Sequence, residues 1–141
     1  MIELKIIEAL RKLLTGRVME ILLDFPQYTQ FFDKGYFHDL QSISPTITVR
    51  ICKRTEKERI IRLRTYIVNI FFELPDTPDS EFFSYLYSNS VFRALHENLT
   101  LDGSVFFAGG KSVDFKQPEK PGCGESWKIV ITLNVSVIER W

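Results

Sequence analysis

The stretch at residues 59–73 is rich in β-branched and aromatic side chains, and no glycine or proline interrupts it. This pattern predicts one long β-strand. From about residue 66 onward both alternating sets of positions are largely apolar, as in a strand covered on both faces. Fifteen residues at about 3.3 Å each would span roughly 50 Å, whereas a compact domain of this length is under roughly 40 Å across. We therefore expect the strand to bend, or its arginine-rich start to project from the body.

The segment before this strand, residues 46–53, alternates apolar and polar side chains and predicts a half-buried strand. Ile47 and Val49 belong to one face, and Thr48 and Arg50 to the other. The short polar segment 54–58 is predicted to be the charged turn of a hairpin that joins the two strands.

Two segments have helical periodicity. Residues 2 to about 15 predict an amphipathic helix, which either ends at Gly16 or continues toward Pro26. A second helix is predicted to run to about Asn98, with Thr77 as N-cap and Pro78 as its first residue. Its apolar stripe, widened by Phe82 and Phe92, consists of Phe83, Leu86, Tyr87, Val91, Ala94 and Leu95.

The other segments predict shorter elements. A strand is expected at 28–32, a turn at 33–35 and a loop at 36–45. After a turn at 102–103, strands at 104–108 and 112–116 flank Gly109-Gly110, in a hairpin or a bulge. A loop is expected at 117–125, and regular alternation predicts a last strand at 127–139.

The order of these elements predicts the fold class. Strands come in neighbouring pairs and do not alternate strictly with helices, which indicates an α+β fold. We expect one domain over residues 1–141, with an antiparallel or mixed sheet, a long central hairpin, an N-terminal helix and one internal helix.

Composition narrows the class of protein. The chain is 45% hydrophobic with zero formal net charge, which argues against disorder and against a dedicated nucleic-acid binder. Two cysteines do not make a disulfide framework, so we expect both to be reduced and the compartment to be cytosolic. No signal peptide and no apolar run of about 20 residues is present, so no membrane association is expected.

Candidates for chemistry are few. His38 and His96 lack partners at metal-ligand spacing, and Cys123 has no identifiable base. The segment 109–112, Gly-Gly-Lys-Ser, lacks the first glycine of a phosphate loop, and a turn between strands is the favoured interpretation. We expect no catalytic residues, no cofactor and no metal, and therefore no enzyme.

One basic concentration and one aromatic set leave alternatives open. The basic residues either contact an acidic partner or nucleic acid, or they solvate a strand end and protect it from aggregation; they are Arg50, Lys53, Arg54, Arg59, Arg62 and Arg64. The aromatic set is either a binding patch or core beneath a loop; it consists of Tyr28, Phe31, Phe32, Tyr36 and Phe37.

Taken in order, the chain resembles the tail terminator proteins of long-tailed bacteriophages and prophages, also called tail completion or tail-to-head joining proteins. The likeness rests on the N-terminal helix, an aromatic stretch with an acidic-glycine turn at 28–36, and the strand at 46–52 followed by a charged turn. The long strand is similar to the family's Arg-x-Tyr-x-x-x-Ile-x-Phe pattern, which starts here at Arg64 and Tyr66. A helix, a short hairpin and a terminal alternating strand complete the layout.

This resemblance implies a structural protein of the virion that assembles in the host cytoplasm. Copies would form a ring, usually a hexamer, that caps the tail tube, ends its polymerisation and joins it to the head connector. The implied partners are the chain itself, the tail tube protein and the head-completion protein, with a route for DNA through the ring lumen. The candidate residues for the subunit, tube or connector interface are Arg50, Arg59, Arg62, Arg64 and Tyr66. The alternative is a small nucleic-acid-binding module that uses the same arginines, and it predicts steeply salt-dependent binding.

Overall fold

The fold is a four-stranded sheet with helices packed on one side. The computed structural model describes residues 2–26, 46–57, 61–119 and 126–140. The strands are β1 (Thr46–Lys57), β2 (Ile61–Pro75), β3 (Phe107–Lys116) and β4 (Ser126–Arg140). Their order across the sheet is β1-β2-β4-β3, and every neighbouring pair is antiparallel. The predicted α+β class is confirmed, and the sheet is antiparallel rather than mixed.

The long strand and its hairpin partner are both present. β2 pairs along its full length with β4, and it pairs with β1 from Thr46 opposite Phe71 to Lys57 opposite Ile61. The predicted turn at 54–58 is wrong for residues 54–57, because backbone pairing with β2 continues through these charged residues. Among the described strands β1 lies at an edge of the sheet, a position where charged sequences are common.

The N-terminal helical region is divided at Gly16. α1 (Ile2–Thr15) and α2 (Arg17–Leu23) lie on either side of this glycine. The amide of Gly16 donates to Lys12 O, and Glu20 N donates to Gly16 O, so backbone hydrogen bonding continues through the break. A Cβ at Gly16 would lie 2.9 Å from Lys12 O, which explains why a glycine occupies the break. The helix thus neither stops at Gly16 nor runs on unbroken.

The internal helix, α3 (Ser80–Glu97), begins two residues later than predicted. Pro78 and Asp79 form a turn before it, in which the Thr77 hydroxyl accepts the Asp79 amide at 3.3 Å. The Ser80 hydroxyl in turn accepts the Thr77 amide at 3.1 Å and donates to Pro75 O. Thr77 therefore caps a tight entry turn, and Pro78 is not the first residue of the helix.

β3 is one strand where the sequence predicted two. Its register against β4 shifts between Gly110 and Ser112, so Lys111 is the extra residue of a β-bulge. Of the two predicted alternatives, hairpin or bulge, the bulge is confirmed. The turn predicted at 102–103 is also present, with left-handed backbone at Leu101, Asp102 and Gly103.

The core lies between one face of the sheet and the three helices. Alternate positions of β2 and β4 are buried together with apolar residues of α1, α2 and α3 in one cluster. On β2 these are Tyr66, Val68, Ile70, Phe72 and Leu74, and on β4 they are Trp127, Ile129, Ile131, Leu133 and Val135. The predicted strand 28–32, turn 33–35, loop 36–45 and most of loop 117–125 lie outside the described residues. The single-domain interpretation stays a prediction.

Candidate interaction surfaces

Three of the arginines singled out from the sequence, Arg50, Arg62 and Arg64, lie along the same end of the sheet, but they do not all belong to one face. Arg50 is exposed on β1 and pairs across the strand with Ile67. Arg64 is half-buried on β2, three positions earlier in that strand. Because side chains alternate along a strand, positions 64 and 67 belong to opposite faces. Arg50 and Arg64 are therefore not parts of a single patch.

The position of Arg62 is known from the strand register. The register places Arg62 between Glu56 on β1 and Glu139 on β4, so two acidic residues are its cross-strand neighbours. Opposite charges in cross-strand positions favour the pairing of the strands themselves. Arg59 lies outside the described residues. A role of these arginines at an interface stays a prediction.

Tyr66 differs from the arginines because it is fully buried. Its exposed fraction is 0%, and it lies on the helix-covered face of β2 between Ile51 and Val135. Its hydroxyl has no hydrogen-bond partner among the described residues. In this structure, therefore, the Tyr66 side chain belongs to the core and has no accessible surface to offer a partner.

Charge is segregated along the strands. One end of the sheet, at positions 50–57, 61–64 and 137–140, carries seven basic and two acidic residues. The opposite end, at positions 73–81, 114–116 and 126–128, carries five acidic and two basic residues. Two of these acidic side chains are held in place: Glu73 accepts the Ser126 hydroxyl at 2.8 Å, and Asp76 accepts the Trp127 indole N–H at 3.1 Å. The net charge of zero thus conceals two oppositely charged ends.

The face of the sheet opposite the helices is mixed in character. Ile67, Phe71 and Val130 are half-buried there, and Phe71 pairs directly with Val130. Between them the Thr132 hydroxyl donates to Asn69 Oδ1 at 3.0 Å. The sequence predicted a strand apolar on both faces, and β2 has that composition, but the helices described here cover only one face.

A further surface, which was not predicted, lies where α3 runs beside the edge strand β3. Four large apolar side chains are exposed there: Phe82 by 54%, Tyr85 by 46%, Leu99 by 38% and Phe107 by 44%. Tyr85 also packs edge-on against Phe115 of β3, with ring centroids 4.7 Å apart. We call this surface the α3–β3 edge; it comprises Phe82, Tyr85, Phe92, Leu99, Phe107 and Phe115.

A groove of about 390 Å³ opens along the α3–β3 edge. Its helix-side wall includes Phe92, His96 and Leu99, and its strand-side wall is β3 from Phe107 to Ser112. A Cβ on Gly110 would clash with the ring of Phe92, so the glycine allows this ring to approach the strand closely. The groove is open to solvent, and its lining is mostly apolar.

The sequence offered four candidates for chemistry, and two of them, His96 and the segment 109–112, lie among the described residues. Within the described ranges no group of three histidine, cysteine or acidic residues could hold a metal ion. Gly109-Gly110-Lys111-Ser112 is the bulged part of β3 and not a phosphate loop. His96 is exposed at the groove, whereas His38 and Cys123 lie outside the described residues. None of the described helices is long and apolar enough to cross a membrane.

The sequence contained a signal for the α3–β3 edge. Phe82 and Phe92 were predicted to widen the buried stripe of α3, but a helix packed on one side cannot bury so wide an apolar arc. Phe82 remains exposed and Phe92 is half-buried. The excess of aromatic residues on α3 therefore indicated an exposed apolar surface on this helix. It did not indicate which strand lies beside the helix.

Comparison with known proteins adds no further constraint, because no model of a known protein family matches the chain and no curated protein matches it.

Proposed function

We propose that this chain is a tail terminator subunit of a long-tailed bacteriophage or prophage. Copies would close into a hexameric ring that caps the tail tube, ends its polymerisation and joins it to the head connector. The protein would thus act in the virion at the tail-to-head junction, as a structural component without catalytic activity.

The observation that supports this proposal most is the arrangement of the long antiparallel strands. Their layout agrees with the resemblance noted in the sequence, and their two ends carry opposite charge. A terminator has to meet a tube on one side and a connector on the other. A subunit with a basic end and an acidic end has different surfaces for two such neighbours.

A ring also needs contacts of a particular kind. Cyclic assemblies are closed by heterologous contacts, in which two different surfaces of the chain meet. The sheet has two different edges, β1 and β3, on opposite sides of the molecule. These unlike edges are compatible with a head-to-tail arrangement of subunits around an axis.

The test is the length of tail tubes polymerised in the presence of the purified chain. Tubes should become shorter as the ratio of chain to tube protein rises, and each tube should carry a ring at one end in electron micrographs. Tubes of unchanged length without end-bound protein would contradict the proposal.

A fourfold alanine variant then tests the interface residues at Arg50, Arg59, Arg62 and Arg64. We expect it to lose tube capping, because the basic end loses three of its seven basic residues, Arg50, Arg62 and Arg64. A matched variant removes four basic residues elsewhere and should cap normally; it carries alanine at Lys5, Arg11, Lys12 and Lys116, which are all exposed. If the fourfold arginine variant caps tubes as well as the matched variant does, these arginines are not needed for the interface.

The basic end also supports a second candidate function, nucleic-acid binding. That function predicts an affinity for DNA that falls steeply with salt, with a slope that increases with the number of phosphate contacts. The fourfold alanine variant should then lose DNA affinity, and the chain should not shorten tubes. Filter binding at several salt concentrations separates the two functions.

A further inference from the structure

We draw no further inference here: the strongest candidate, the apolar groove along the α3–β3 edge, is an open surface, and nothing in the described part of the structure shows what covers it.

Discussion

Replacing Tyr66 by phenylalanine removes one buried oxygen and nothing else. Tyr66 is fully buried, and its hydroxyl has no hydrogen-bond partner among the described residues. An unsatisfied buried polar group costs the desolvation free energy of about 1–3 kcal/mol. Tyr66→Phe should therefore increase the free energy of unfolding by about 1 kcal/mol, because the ring stays packed and the penalty disappears.

The assay is urea unfolding followed by tryptophan fluorescence, with a thermal melt as a second measurement. The urea midpoint should rise while the m-value stays constant, because the surface exposed on unfolding is unchanged. For a domain of this size, about 1 kcal/mol corresponds to roughly 3 °C in Tm. Tyr85→Phe is the control, since Tyr85 is 46% exposed and its loss of a hydroxyl should change stability little.

A loss of 1 kcal/mol or more in Tyr66→Phe would refute this reasoning, because it would mean that the hydroxyl makes a stabilising hydrogen bond. The same variant also tests the prediction that Tyr66 acts at an interface. If the side chain is only part of the core, Tyr66→Phe should assemble as the unsubstituted chain does.

Two further predictions concern the helices. Gly16→Ala should lower the free energy of unfolding by about 1 kcal/mol, because its Cβ would approach Lys12 O to 2.9 Å; a stabilised variant in urea unfolding would contradict this. The bidentate bond from Arg17 holds the pKa of Glu97 below its ordinary range. This carboxylate therefore stabilises the fold above its unfolded-state pKa, and the contribution is lost as pH falls through the folded-state pKa. Between about pH 7 and pH 3 the urea midpoint of the unsubstituted chain should fall further than that of Glu97→Gln; equal falls would exclude the ion pair.

Much of the sheet could be predicted because its signals are local. The β-branched and aromatic residues of β2 and the alternating pattern of β4 favour a strand whichever neighbour they pair with. Both strands begin and end within two residues of the predicted bounds. The same holds for the buried stripe of α3, whose six predicted residues are all buried.

The incorrect predictions concern residues whose conformation or burial depends on the neighbouring strands and helices. Residues 54–57 have the composition of a turn, yet pairing with β2 keeps them in β1. Gly109 and Gly110 resemble the centre of a hairpin, but pairing with β4 carries one strand through them with a bulge. Tyr66 stands two residues after Arg64, in a strand that was expected to bend or to project at its arginine-rich start, and only the position of the helices shows that Tyr66 is buried.

The candidate surfaces were predictable only in part for the same reason. The basic residues were visible as a concentration in the sequence, but the register separates Arg50 from Arg64 on two faces of the sheet. The acidic end of the molecule combines β2 with the start of α3. The α3–β3 edge depends on which strand lies beside the helix, and β3 follows α3 only after a turn with left-handed backbone.

The measurement that tests the central claim most directly is electron microscopy of tail tubes mixed with the purified chain, with the bound mass determined by sedimentation. A terminator should sit at one end of each tube as a ring, with about six copies per tube if the ring is a hexamer, and longer incubation with tube protein should not lengthen capped tubes. Tubes that remain bare and continue to grow, or protein that coats their sides, would contradict the account.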